Sequence, residues 1–163
     1  ALSRGVHRVQ VRARHLAGDA WRLLARQAVA RCREAGAEVL LNGDIDLACE
    51  LQVGVHLRAA QLAECAARPL PNGLAVAASC HTATDLRQAE ALGCDFAVVG
   101  SVHPTLSHPV GEPLGWPGFA RLREGVSLPI YAIGGMLPEH IVQARRHGAQ
   151  GIAAIRGLWP ASP

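Results

Sequence analysis

Short apolar segments alternate with longer amphipathic segments along the whole chain. The short segments consist mainly of Val, Ile, Leu and Ala, which is typical of buried strands. Between them, apolar residues recur at helical spacing, as Trp21, Leu24 and Ala28 do in the longest such segment. This pattern predicts seven strands, at residues 6–11, 39–41, 55–57, 74–78, 96–99, 130–133 and 151–155. It predicts helices at residues 19–35, 45–51, 60–67, 82–92, 117–124 and 138–147.

The alternation of strands and helices indicates a parallel sheet that is covered on both faces. Two architectures have such a sheet, a closed eight-stranded barrel and an open doubly wound sheet. An open nucleotide-binding sheet normally carries Gly-x-Gly-x-x-Gly after an early strand, and the chain has no such motif. Gly134 and Gly135 instead follow the sixth predicted strand, in the region where barrels often bind phosphate. We therefore predict an α/β fold of the (βα)8 TIM-type barrel class.

The length of 163 residues predicts one barrel domain that spans residues 1–163. Barrels of this class usually exceed about 200 residues, and only seven strands are predicted here. Residues 1–4 are typical of a helix end. We therefore expect that the first strand of the barrel and most of one helix lie upstream.

Composition narrows the possible functions. No apolar segment approaches the roughly 18 residues of a membrane span, so we expect no membrane partner. The arginines are scattered and aromatic residues make up only 4% of the chain, which argues against a nucleic-acid partner. All 16 basic residues are arginine, which excludes a Schiff-base lysine or a P-loop lysine within this chain. The cysteines are odd in number and form no Cys-x-x-Cys pair, which predicts buried free thiols and a cytoplasmic protein.

Polar side chains follow the first two predicted strands. Alternation places Gln10, Arg12 and Arg14 on one side of the first strand. Two guanidinium groups and an amide would form a good diphosphate clamp, because arginine offers paired donors to phosphate oxygens. Solvated arginines at a strand end are the alternative. Asn42 follows the second strand and could donate to an anion or form part of a turn.

Further candidates follow the later strands. Ser79 could contact a ligand or cap the next helix, whereas His56 is typical of a core histidine. Two glycine-containing turns follow the last two strands, and their backbone N–H groups predict a phosphate site at Gly134, Gly135, Ile155 and Arg156. The long loop after the fifth strand is either a polar surface loop or holds an anionic leaving group with Thr105, Ser107 and His108.

The order of these motifs is more specific than any one of them. They are Gln10-Val11-Arg12, Asn42, Gly54-Val55-His56-Leu57, Ser79-Cys80-His81-Thr82, Val99-Gly100-Ser101-Val102 and Pro104-Thr105, followed by the segments 129–135 and 148–155. Over residues 5–158 the series resembles the thiamin phosphate synthase / TenI family. The ending Ala154-Ile155-Arg156-Gly157-Leu158-Trp159 is similar to versions fused C-terminally to Nudix hydrolases, which implies an upstream Nudix domain.

The resemblance implies a transferase that joins hydroxymethylpyrimidine diphosphate to a thiazole phosphate, and it allows a homodimer. Ser79 would lie beside the pyrimidine, and Arg12, Ser79 and His103 are the catalytic candidates. The diphosphate would be held by Gln10, Arg12, Arg14, Asn42, Thr105, Ser107 and His108. The thiazole phosphate would be held by Gly134, Gly135, Ile155 and Arg156.

The chain departs from the family pattern where the resemblance implies magnesium ligands. Two aspartates of the family are replaced by Gly43 and Gln61, so Mg²⁺ is a possible cofactor without its usual ligands. The TenI branch isomerises its substrate with a histidine at the position of Ser101, and His103 lies two residues further on. Three functions therefore remain open: a transferase, a TenI-like or inactive thiazole phosphate-binding domain, and an isomerase of sugar phosphates.

Overall fold

The computed structural model describes residues 2–105 and 112–159, which form a seven-stranded, all-parallel sheet with strands in sequence order. The strands are β1 (Arg8–Val11), β2 (Glu38–Asn42), β3 (Gly54–Leu57), β4 (Val76–Cys80), β5 (Phe96–Val99), β6 (Ile130–Ile133) and β7 (Gly151–Ala153). The α-helices are α1 (Gly18–Glu34), α2 (Ile45–Glu50), α3 (Ala59–Glu64), α4 (Ala83–Ala91), α5 (Gly115–Arg123) and α6 (Ile141–Arg146). Short 3₁₀ helices cover Leu2–Arg4 and Pro138–His140.

The sheet is strongly curled. Arg8 on β1 donates from Nη1 to the Tyr131 hydroxyl on β6 at 3.2 Å. Its guanidinium carbon also lies 4.2 Å from the centre of the Phe96 ring on β5. Side chains of the first strand can meet those of the fifth and sixth strands only if the sheet bends round on itself. The described chain is therefore an α/β fold whose curled parallel sheet resembles half of a TIM barrel.

Strand alternation divides the apolar residues into two layers. One face of the strands packs under the helices, with side chains such as Leu41, Val55 and Val99 fully or almost fully buried. The opposite face forms a smaller inner cluster around Leu40, Phe96 and neighbouring residues. The inner face also carries the polar side chains that lead to the strand ends, as expected for the interior of a curled sheet.

The predicted strands and helices are confirmed, with differences at several boundaries. β4 begins two residues later than predicted, because the carbonyl of Leu74 accepts a hydrogen bond from Arg68 instead of joining the sheet. β4 also ends two residues later than predicted, at Cys80, which places Ser79 inside the strand. The segment predicted as one helix over 138–147 is a 3₁₀ turn followed by α6. α4 begins with a capping box, because Thr82 and Asp85 each accept from the other's backbone N–H.

All five cysteines are free thiols, as predicted. Cys32, Cys80 and Cys94 are buried, but the prediction of burial is wrong for Cys49, which is exposed on the outward side of α2. In the part of the chain that the structure describes, no helix has both the length and the apolar character to cross a bilayer.

Candidate functional site

An open cavity of about 830 Å³ lies at the C-terminal ends of β1, β2 and β3. Parallel strands present their C-terminal ends at one edge of a curled sheet, so residues distant in sequence meet there. The cavity brings together Arg12, Arg14 and Asn42, as the strand-end argument predicted. The other lining residues are Ala13, Leu16, Trp21, Gly43, Asp44, Ile45, Asp46, Arg58 and Gln61.

Three arginines make this cavity positively charged. Partial burial lowers the pKa of Arg12 below its ordinary value, and the positive charges of Arg14 and Arg58 lower it further. Over residues 2–105 and 112–159, no carboxylate forms an ion pair with any of the three. A bound anion would remove the mutual repulsion of these guanidinium groups, and it would also offer their donors oxygen partners.

Asn42 is oriented by its neighbour on β1. Gln10 Nε2 donates to Asn42 Oδ1 at 2.8 Å. The carbonyl oxygen of the amide is therefore occupied, and the NH₂ group of Asn42 remains as a donor at the cavity wall. Gln10 itself does not line the cavity, so it supports Asn42 from behind the cavity wall.

Gln61 forms hydrogen bonds to both Arg58 and Gly43, and so it fixes Arg58 beside the backbone of this glycine. Gln61 Nε2 donates to the Gly43 carbonyl at 2.8 Å, and Gln61 Oε1 accepts from Arg58 Nε at 2.9 Å. Gly43 has a φ of +73°, and a Cβ there would come within 2.7 Å of Gln61 Oε1 and 2.9 Å of Arg58 Nε. The arginine and a side chain at position 43 would therefore occupy the same space.

The carboxylates of the cavity do not form a magnesium site. Asp44 accepts from the Leu47 backbone N–H at 3.1 Å through Oδ1 and from Trp21 Nε1 at 2.7 Å through Oδ2. Asp46 is exposed in the first turn of α2. Mg²⁺ in phosphate sites is usually held by one or two carboxylates together with water and phosphate oxygens. Here Asp44 is already engaged as the cap of α2, and the described residues contain no group of three His, Cys, Asp or Glu side chains that could hold a metal, so the cavity fits this ion poorly.

His56 and Ser79 form a hydrogen-bonded pair on the inner face of the sheet. His56 Nε2 lies 2.8 Å from Ser79 Oγ, and the histidine is only 5% exposed. Burial lowers the pKa of His56 to about 4, and the charge of Arg12 contributes. The interpretation of His56 as a satisfied core histidine is confirmed, and its neutral ring fixes the position of the Ser79 hydroxyl.

The two glycine-containing turns after β6 and β7 are in contact. Gly134 and Gly135 have φ values of +101° and +65°. A Cβ at Gly157 would come within 2.3 Å of the Met136 carbonyl oxygen, so the turns pack backbone to backbone. Within the described segments, no protein acceptor is recorded for the backbone N–H groups of Gly135, Ile155 and Arg156. These free donors suit an oxyanion.

The candidate residues of the segment after β5 lie in different surroundings. The His103 ring packs against Trp116, with 5.6 Å between ring centres, and lies 5.3 Å from His140. Partial burial lowers the pKa of His103, and His140 lowers it further. The ring therefore does not line the arginine cavity. Thr105 is half-buried, whereas Ser107 and His108 lie outside the described residues.

Among the lining residues with polar side chains, sequence reasoning missed Arg58 and Trp21. Arg58 directly follows the last residue of β3, which is the position from which strand-end residues enter such sites. This signal was available in the sequence. Trp21 has no comparable signal, because its role of fixing Asp44 depends on how α1 packs beside α2.

A family model described as thiamine monophosphate synthase matches residues 1–158. The chain is 33% identical over 164 residues to a thiamine-phosphate synthase of Chlorobium luteolum, with 99% of this chain and 77% of that protein covered. It is 32% identical over 162 residues to one of Moorella thermoacetica, with 97% and 77% covered. A solved structure of thiamine phosphate pyrophosphorylase from Pyrococcus furiosus superposes with a TM-score of 0.75 at 24% identity, covering 94% of this chain and 74% of that one.

Proposed function

The chain belongs to the thiamine monophosphate synthase family, and on that premise we propose that it joins hydroxymethylpyrimidine diphosphate to a thiazole phosphate. The observation that carries this proposal is the convergence of Arg12, Arg14 and Asn42 in one cavity. Cationic and amide donors at this edge of the sheet match the diphosphate of the first substrate. The glycine-containing turns after β6 and β7 supply a separate set of donors for the phosphate of the second.

The proposed reaction is a substitution at the methylene carbon of the pyrimidine. The bond between this carbon and the diphosphate oxygen breaks, and the electron pair leaves with diphosphate. The thiazole nitrogen then uses its lone pair to form the new carbon–nitrogen bond, and it becomes positively charged. The arginines accelerate the first step because they stabilise the negative charge that develops on the leaving group.

The neighbouring polar residues would orient the pyrimidine. Ser79 lies on the inner face of β4, and its hydroxyl is held at 2.8 Å by the neutral ring of His56. Asn42, held by Gln10, presents its NH₂ group at the cavity wall. We place the pyrimidine beside Ser79 and the diphosphate beside Asn42 and the arginines.

The second phosphate would bind at the turns after β6 and β7. Gly135, Ile155 and Arg156 offer backbone N–H groups there, and the Arg156 side chain is exposed. Positive φ angles at Gly134 and Gly135 turn the backbone sharply after β6. Backbone donors of this kind bind phosphate without any catalytic side chain.

The relatives favour the transferase over a TenI-like or inactive binding domain, since they are named as synthases. The His103 ring packs with Trp116 and His140 and does not line the arginine cavity, which argues against proton transfer by this histidine within that cavity.

We further propose that the curled sheet is part of a closed (βα)8 barrel. In the described residues β1 and β7 each pair on one side only, so both have an edge that can accept a strand. The cytoplasmic location, the homodimer and the upstream Nudix domain expected from the sequence stay predictions.

The test is product formation by the natural full-length protein from both substrates, followed by mass spectrometry. We expect thiamin phosphate and diphosphate in equal amounts. Arg12→Gln should reduce the rate strongly, whereas Arg31→Gln should not, because Arg31 is exposed on α1 and does not line the cavity. Absence of product under all metal conditions would refute the proposed function.

A further inference from the structure

The cavity at the ends of β1, β2 and β3 contains more cationic than anionic side chains. Arg12, Arg14 and Arg58 line it together with Asp44 and Asp46. Each oxygen of Asp44 accepts a hydrogen bond, from Trp21 Nε1 and from the Leu47 backbone N–H, so this carboxylate is held in place at the start of α2. The three guanidinium groups outnumber the two carboxylates, so the cavity favours an anion.

Arg58 is positioned by hydrogen bonds that leave its outer edge open. Its Nε donates to Gln61 Oε1 at 2.9 Å, and Gln61 in turn donates to the Gly43 carbonyl at 2.8 Å. Among the described residues, no acceptor is recorded for either terminal nitrogen of Arg58. Two parallel N–H donors remain, which is the arrangement that binds phosphate oxygens in a bidentate manner.

In the observed geometry Arg58 lies in space that a side chain at position 43 would enter. A Cβ at Gly43 would lie 2.9 Å from Arg58 Nε and 3.3 Å from its guanidinium carbon. A side chain there would therefore require the ends of Arg58 and Gln61 to move from their observed positions. The β2 end of the cavity can therefore hold a carboxylate for a cation, or this guanidinium, but not both in the observed geometry.

We propose that Arg58 supplies the positive charge at the β2 end of the diphosphate site, so that this protein binds and releases diphosphate without a divalent cation. The inference rests on the proposed function, because it assumes that the anion in this cavity is the diphosphate of the substrate. Arg12 and Arg14 share the remaining charge of the leaving group. No step of the reaction then requires a metal ion at this end of the site.

The lowered pKa of Arg12 supports the proposal. Partial burial is its main cause, and the charges of Arg14 and Arg58 add to it. Arg58 is therefore close enough for its charge to act on Arg12, and both guanidinium groups can act on one bound anion. Binding a diphosphate would offset this repulsion in the same way as a metal ion offsets the charge of the diphosphate.

The experiment is calorimetric titration of inorganic pyrophosphate into the natural full-length protein, once in EDTA and once in magnesium chloride. We expect binding in EDTA that is no weaker than binding in magnesium, at equal free pyrophosphate. Arg58→Ala should weaken binding in EDTA roughly tenfold, as expected for the loss of a charge-assisted bidentate contact. Arg58→Lys should restore part of the affinity, because lysine retains the charge but not the paired donors.

Arg31→Ala is the matched control, since it removes the same charge from the exposed side of α1 and should leave the affinity unchanged. Binding of pyrophosphate only in the presence of magnesium would overturn the inference and leave the proposed transferase intact. Wild-type affinity in Arg58→Ala would also overturn it. If pyrophosphate does not bind under either condition, the inference and the diphosphate site both fail.

Discussion

The buried pair of His56 and Ser79 makes the stability of the protein dependent on pH. Burial lowers the pKa of His56 from 6.5 to about 4 in the folded state, and Arg12 contributes. As the pH falls below about 6.5, the unfolded chain takes up a proton at this residue before the folded chain does. The free energy of unfolding should therefore decrease as the pH falls from about 6.5 towards 4, and the full contribution should be present above 6.5.

The size of the effect follows from the shift in pKa. One pKa unit corresponds to about 1.4 kcal/mol, so His56 should account for about 3 kcal/mol over the whole range and about 2 kcal/mol by pH 5. Urea unfolding of the wild type and of His56→Gln, followed by tryptophan fluorescence, measures the difference in stability at each pH. Effects of other titrating groups cancel in this difference. Glutamine can still share a hydrogen bond with Ser79, so the variant is expected to fold.

The stability advantage of the wild type over His56→Gln should shrink by about 2 kcal/mol between about pH 7.5 and pH 5. His7→Gln, at an exposed histidine, serves as the matched control and should follow the pH dependence of the wild type. A difference between wild type and His56→Gln that does not change with pH would refute the argument, because His56 could then not be a neutral residue in a buried environment.

Three other changes test separate features. Gly134→Ala should lower the free energy of unfolding by about 2 kcal/mol, because φ is positive there, whereas Gly125→Ala should be near neutral in the same urea titration. A Cβ at Gly134 would also lie 2.7 Å from the Cα of Ser101 after β5, while at Gly125 it would contact nothing within 4 Å. Arg12→Gln should raise the pKa of the buried histidine in an NMR titration, and an unchanged pKa would contradict their coupling. A thiol reagent should modify the exposed Cys49 quickly and Cys80 slowly, since burial raises the pKa of Cys80 to about 12, and equal rates would contradict this placement.

The sequence was sufficient to predict the sheet and one side of the cavity. Apolar strands separated by amphipathic helices have few alternatives to a parallel sheet, and the ends of parallel strands meet at one edge. The approach of Arg12, Arg14 and Asn42 to one cavity follows from these two rules alone. No knowledge of side-chain packing is needed for it.

The remaining features depend on packing between distant segments. Arg58 reaches the cavity because Gln61 bonds to the Gly43 carbonyl, and this contact joins two strand ends. His103 was a candidate from the family resemblance, since it lies two residues after the position of the TenI histidine and would share its face if strand alternation continued. In the structure its backbone N–H donates to the Gly134 carbonyl at 3.2 Å, and its ring packs against Trp116. Alternation no longer applies once the chain leaves the strand.

The contact between Gly43, Arg58 and Gln61 also constrains how the protein can evolve. A side chain gained at position 43 would collide with Arg58 and Gln61, and loss of Arg58 alone would leave the cavity with less charge and no compensating ligand. Each single replacement is therefore expected to be unfavourable while the other two residues remain. The effects of replacing these three residues should therefore not be additive, and a double-mutant cycle between positions 43 and 58 should show a coupling energy.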